Sequence, residues 1–91
     1  MMQISQTTTF TKQTKKLHAN QKQDLKNAIR ELISNLKLGE MKKGDLNGIR
    51  VFKFAMVKQL TLLAYEWYPD EKLLILISLG SHENFYKKLK S

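Results

Sequence analysis

Near the end of the chain, Leu79-Gly80-Ser81-His82-Glu83-Asn84-Phe85-Tyr86 brings an imidazole, a carboxylate, an amide and a phenol together within a few residues. An imidazole with an ordinary pKa of about 6.5 can hold or release a proton near neutrality, so His82 is the residue best suited to acid–base chemistry. The stretch follows an apolar run, Leu73 to Leu79, that predicts a strand, and it precedes a predicted short final helix. Side chains at the end of a strand are held by the sheet yet reach solvent. The plainer reading is a helix start, with Ser81 as N-cap, Glu83 in the first turn and Phe85 in the core.

The charge points to the class of partner. Sixteen Lys+Arg against eight Asp+Glu give a net charge of +8, which favours nucleic acid, an acidic protein or an anionic surface. The lysines are spread along the chain and outline no single patch; solubility alone would also account for them. Arginine occurs only at positions 30 and 50, which points to a need for its planar fork rather than for a point charge alone. Arg30 falls on the polar side of a predicted helix near Lys26 and reads as a solvated charge, while His18 reads as a solvated or capping residue in a turn. There is no cysteine, hence no disulfide framework and no thiolate chemistry. Two histidines far apart in sequence predict no metal site, and nothing calls for a cofactor.

Ninety-one residues, 42% hydrophobic and 26% charged, predict one small domain spanning 1–91 with one core. No apolar run is long enough to span a membrane, and the start has no secretory pattern, so a cytoplasmic protein is expected. Ile4 to Thr9 predicts a short or edge strand. From Thr11 the pattern is helical, with Phe10, Thr14 and Leu17 on one face. A second helix follows, with Asn20 as N-cap, Gln23 three residues on, an apolar stripe Leu25, Ala28, Ile29, Leu32, Ile33 and Leu36, and Gly39 as its C′ residue. Gly39 to Leu46 is a connection. Ile49–Phe54, Gln59–Trp67 and Lys72–Leu79 then predict three strands joined by turns at 55–58 and at Tyr68-Pro69-Asp70-Glu71, hence antiparallel hairpins. The last strand, apolar at nearly every position, is expected to be central and buried on both sides. The expected fold is α+β: two N-terminal helices on one face of a twisted, mainly antiparallel four-stranded sheet, in the order β-α-α-β-β-β-α.

With these elements in place, the chain resembles the RelE/ParE superfamily, the toxins of bacterial type II toxin–antitoxin systems. The resemblance rests on the element order, Leu46-Asn47-Gly48-Ile49-Arg50 leading into the second strand, Leu62-Leu63-Ala64-Tyr65 in the third, and Leu79-Gly80-Ser81-His82 closing the fourth. It covers nearly the whole chain, and the Gly-Ser-His ending followed by an aromatic looks most like the YafQ-type branch. It implies a ribosome-dependent mRNA endonuclease, silenced by a cognate antitoxin in a hetero-oligomer, that cleaves by attack of a ribose 2′-OH on the adjacent phosphate. That reaction needs a base, an acid and fixed cations for the transition-state charge.

Residue by residue, the resemblance implies that His82 is the acid–base group and that Arg50 holds the scissile phosphate through two parallel hydrogen bonds. It implies that Lys53 adds positive charge, that Glu66 acts as base or orients His82, and that Tyr86 stacks on a base or donates to phosphate. Lys58 and Lys43 would contact the RNA. Strand parity puts Arg50 and Lys53 on opposite faces unless a bulge intervenes, and Glu66 beside Trp67 and Tyr68 also reads as an exposed strand end.

The sequence departs from the family pattern in two places. No arginine precedes Tyr65 in Gln59–Tyr65, and Val51–Lys58 contains neither His nor Asp where the YafQ-type branch uses both. The incomplete set leaves open a ParE-like inhibitor of DNA gyrase that acts by binding, or a basic binding module without toxicity.

Overall fold

The computed structural model describes residues 2–41 and 48–81. The elements run β1 (Gln3–Gln6), α1 (Thr8–Lys15), α2 (Ala19–Ser34), β2 (Glu40–Met41), β3 (Arg50–Met56), β4 (Gln59–Tyr68) and β5 (Leu73–Gly80). The sheet order is β1-β5-β4-β3-β2. β1 pairs parallel with β5 and the other pairs are antiparallel. The expected α+β class holds, with two corrections to the sheet. It has five strands rather than four, because Glu40 and Met41, read as connection, pair with Val51 and Arg50. A two-residue strand leaves no period in the sequence to detect. The middle strand is β4, not the apolar β5: Thr61 to Tyr65 are all buried, whereas Leu73, Ile75 and Ile77 of β5 are only half-buried. The expected final helix lies outside the described residues.

Both helices cover one face. Phe10 of α1 and Leu25, Ala28 and Leu32 of α2 pack on Phe52, Leu63, Tyr65, Leu74, Leu76 and Leu79. Leu25, Ala28 and Leu32 recur at i, i+3 and i+7, the spacing that keeps one helix face on a sheet. The opposite face carries a smaller apolar cluster of Val51, Leu62 and Ala64 with Ile49 and Ile77. A bulge in β5 connects the two arrangements. Ala64 pairs with Ser78 but Tyr65 pairs with Leu76, leaving Ile77 as the extra residue. The helix-facing leucines therefore shift parity, from positions 74 and 76 to 79.

The local boundaries also differ from the sequence reading. α1 begins three residues before Thr11, because Thr7 is its N-cap and accepts from the Phe10 amide at 3.1 Å. α2 is capped by His18 rather than Asn20, with the Gln21 Oε1 accepting from the His18 amide at 2.8 Å, and it ends at Ser34, well before Gly39. The turn before β5 closes one residue late, through the Lys72 amide donating to the Pro69 carbonyl at 3.2 Å. The β3–β4 turn has both central residues left-handed, Val57 at φ 51° and Lys58 at φ 65°. That geometry matches the twist of a two-residue hairpin but strains a β-branched valine. Asp24 of α2 steadies it by accepting from the Val57 amide at 2.7 Å.

Candidate functional site

The strands spread the sequence-predicted residues along the sheet. Lys53 pairs with Leu62 and Leu62 with Gly80, so Lys53, Leu62 and Gly80 form one row across three strands. Two strand spacings separate Lys53 from Gly80, roughly 10 Å. Lys58 stands at the tip of the β3–β4 hairpin, beyond the last pair Met56–Gln59. Both lysines are exposed and make no ion pair among the described residues. The hairpin end holds a cavity of about 200 Å³ between Leu17 in the link from α1 to α2, Met56, Gln59 and Leu60 of the hairpin, and Leu79 to Ser81 at the end of β5. Ser81 is the last described residue before His82. His82, Tyr86 and Lys43 themselves lie outside the described residues.

Side chains from α1 brace the end of β5 on its outer edge. β1 stops at Gln6, opposite Leu76. Beyond that point the Thr7 amide donates to the Leu76 carbonyl at 3.1 Å and the Thr7 hydroxyl donates to the Ile77 carbonyl at 2.5 Å. The Gln13 carboxamide then makes two bonds to Leu79: its Nε2 donates to the carbonyl at 2.8 Å and its Oε1 accepts from the amide at 2.7 Å. On the inner edge, Leu79 and Gly80 pair with Leu63 and Leu62. Gln13 was not among the residues singled out in the sequence. Its signal is positional: it lies at i+3 from Phe10 on the stripe that continues to Thr14 and Leu17, an uncharged amide on the buried face.

Arg50 and Glu66 sit elsewhere. Arg50 shares the parity of Phe52 and faces the helices, while Lys53 shares that of Val51 and faces away. The bulge is in β5, not β3, and strict alternation holds along β3. The Arg50 guanidinium donates from Nη1 to the Gly39 carbonyl at 2.9 Å. Beside it the buried Tyr65 hydroxyl donates to the Leu36 carbonyl at 2.9 Å and accepts from the Gly39 amide at 3.0 Å. Burial pushes the Tyr65 phenol above its ordinary 10.0, against the opposing pull of the Gly39 amide and the Arg50 charge. Gly39 is required for contact rather than conformation: a Cβ there would stand 2.5 Å from the Tyr65 hydroxyl oxygen. Glu66 pairs with Ile75 and accepts a hydrogen bond from the Tyr68 hydroxyl, which raises the Tyr68 pKa. It is four residues along β4 from Leu62, roughly 13 Å, so it is not brought to the end where Ser81 lies.

A basic sheet edge, a braced strand end and a chain of this length invite comparison with known proteins. A family model described as the ParE-like toxin of type II bacterial toxin–antitoxin systems matches residues 4–90. The chain belongs to that family. Among solved structures, this ParE-like toxin is similar to the E. coli RelBE toxin–antitoxin complex, with a TM-score of 0.71 and 17% identity over 91% of this chain and 99% of that one. It is also similar to a double arginine-to-alanine mutant of E. coli toxin RelE in the free state, with a TM-score of 0.74 and 16% identity over 98% and 92% of the two chains. The conserved hypothetical protein HP0892 of Helicobacter pylori matches with a TM-score of 0.59 and 22% identity over 93% and 99%. Identities this low establish likeness of fold. No curated protein sequence matches the chain.

The arrangement of the ParE-like toxin has a chemical consequence. Lys58 at the hairpin tip and Lys53 in the middle of β3, both exposed and without ion-pair partners among the described residues, can meet a polyanion without first giving up an internal ion pair. At the Tyr65 end the Tyr65 hydroxyl and Arg50 Nη1 are already taken up by backbone. No group of metal-ligating side chains occurs among the described residues, and none of their helices is long and apolar enough to cross a membrane.

Proposed function

We propose that this toxin is a ribosome-dependent mRNA endonuclease that halts translation. The observation that carries the reading is a strand end braced on both edges, from which the chain continues from Ser81 to His82, with exposed Lys53 level with Gly80 across the sheet and exposed Lys58 at the neighbouring hairpin tip. The 2′-oxygen of a ribose forms a bond to the adjacent phosphorus while the P–O5′ bond breaks. The 2′-OH proton leaves to a base and the 5′-oxygen takes a proton from an acid. His82 carries proton transfer, and Lys53 and Lys58 stabilise the charge that builds on the phosphate oxygens. Tyr86 stacks on a base and Lys43 contacts the RNA backbone. Arg50 and Glu66 stand outside this reacting set, because each is bonded at the other end of the sheet.

The partner that silences the toxin is a cognate antitoxin, as in the RelBE complex, bound as a hetero-oligomer in the bacterial cytoplasm. Its toxin-binding segment is acidic and amphipathic, to match a chain of net charge +8. A second reading, inhibition of DNA gyrase by binding, is favoured by one observation: the arginine expected to clamp the phosphate is already bonded to the Gly39 carbonyl.

Primer extension on a reporter mRNA in a cell-free translation reaction separates the two. New 5′ ends with the wild type that vanish with His82→Ala support cleavage through His82. Ends that persist with the variant retain the nuclease and remove His82 from its essential set. Absence of new ends with wild-type protein sinks the nuclease reading and directs attention to supercoiling by gyrase.

A further inference from the structure

We propose that Gln13 is a positioning residue for the cleavage site, acting as a surrogate strand that sets where the chain leaves β5; the inference rests on the nuclease reading above. β5 needs a partner on its outer edge between Leu76, where β1 ends, and Gly80, where the chain departs toward His82. The Gln13 carboxamide supplies one at Leu79. Its donor and acceptor meet the Leu79 carbonyl and amide at 2.8 and 2.7 Å, as a neighbouring peptide unit would. Turning the carboxamide over would set donor against donor and acceptor against acceptor, so this pair of bonds admits one orientation.

The need for such a clasp follows from the bulge. Ile77 is the extra residue, and the strand beyond it is offset by one position from the strand before it. A slip back by one residue would turn Leu79 out of the core and change the side from which Ser81 emerges. Thr7 holds the bulge itself, since one hydroxyl accepts from the Phe10 amide and donates to the Ile77 carbonyl. Gln13 holds the strand two residues later. Because both residues belong to the start and body of α1, the helix fixes the end of β5 as a single unit. Gln13, Leu79 and Ser81 also line the cavity beside the hairpin, so the clasp sets one wall of the cleft as well as the exit of the chain.

The test compares wild type, Gln13→Leu and Gln13→Glu. Gln13→Leu removes both bonds, while Gln13→Glu keeps the acceptor for the Leu79 amide and loses the donor. Cleavage is followed on programmed ribosomes, and hydrogen exchange is measured at the Leu79 amide. With Gln13→Leu, kcat falls about 10- to 100-fold, the range expected when reacting groups shift by up to an ångström. KM stays within about twofold, because the lysines that attract RNA are untouched. Gln13→Glu gives an intermediate kcat. The Leu79 amide loses protection in the leucine variant and keeps it in the glutamate variant. An unchanged kcat in Gln13→Leu while wild type cleaves overturns the inference and leaves the nuclease reading standing. So does unchanged Leu79 protection in that variant, or a loss expressed only in KM. Wild-type protein that fails to cleave overturns both.

Discussion

At one end of the sheet, the Tyr65 hydroxyl and Arg50 Nη1 bond to the backbone of Leu36 and Gly39; Lys53 in the middle of β3 and Lys58 and Gln59 at the hairpin make no side-chain hydrogen bond or ion pair among the described residues. Both ends are built from the same two strands, β3 and β4, and both carry cations. They differ in what surrounds the charge. Arg50 is half-buried under the segment between α2 and β2, where an unbonded guanidinium would be costly, so the fold supplies a carbonyl. The lysines stand in water and need no partner. One end therefore contributes to stability and the other is left available to bind, and the two can be attacked separately.

The largest effect is expected at Gly39. Gly39→Ala would set a methyl 2.5 Å from the Tyr65 hydroxyl oxygen and 2.6 Å from Cε1, against a ring that is fully buried and bonded on both sides. A cost of about 3 kcal/mol or more in urea denaturation is expected, with no specific change in RNA affinity for the folded fraction. A loss below about 1 kcal/mol would show that the Tyr65 end is looser than its hydrogen bonds imply.

Tyr65→Phe is the milder version. It leaves the Gly39 amide and the Leu36 carbonyl without their partner and should cost about 1–3 kcal/mol. It also carries a pH signature. The folded state holds the Tyr65 proton above the ordinary 10.0, whereas the unfolded chain releases it there. The unfolded state then binds fewer protons, so stability is intact below pH 10 and falls as pH rises beyond it toward the folded value. The difference in stability between wild type and Tyr65→Phe should shrink over that window. A constant difference would mean that burial does not raise this phenol.

Smallest in stability, and informative for that reason, are the lysines. Lys53→Ala and Lys58→Ala should each change unfolding free energy by no more than about 0.5 kcal/mol. Each should lower the salt dependence of single-stranded RNA binding by about 0.7 in log–log slope if it meets a phosphate. Slopes equal to wild type for both variants would remove this end of the sheet from the RNA interface. The same slope change in Arg50→Ala would erase the contrast between the two ends.

Much of this contrast was not legible in the sequence. The opposite facing of Arg50 and Lys53 was, because strand parity is a period of two that a short β-run displays directly. The helix stripe through Leu25, Ala28 and Leu32 was equally plain. The capping of α2 was misplaced by two residues, since Asn20 and His18 can both begin a helix and the choice depends on where Gln21 reaches. Glu66 looked like a neighbour of His82 because both close a strand. Antiparallel pairing puts the end of β4 beside the start of β5, so Glu66 meets Ile75 rather than Gly80. Gln13 carried no chemical signal of its own. An amide in a lysine-flanked helix looks solvated until the partner 66 residues away is known.

The sequence by itself determined the two helices and four of the five strands, the helix-covered α+β layering and the cationic character of the chain. Each follows from local periodicity or from counting charges, and none depends on which strand lies beside which. Tertiary structure alone decided the two-residue strand at Glu40–Met41, the bulge at Ile77, the clasp from Gln13 to Leu79 and the separation of Arg50 and Glu66 from the Ser81 end. Those features depend on register and on hydrogen bonds between residues far apart in the chain, which exist only once the sheet has closed.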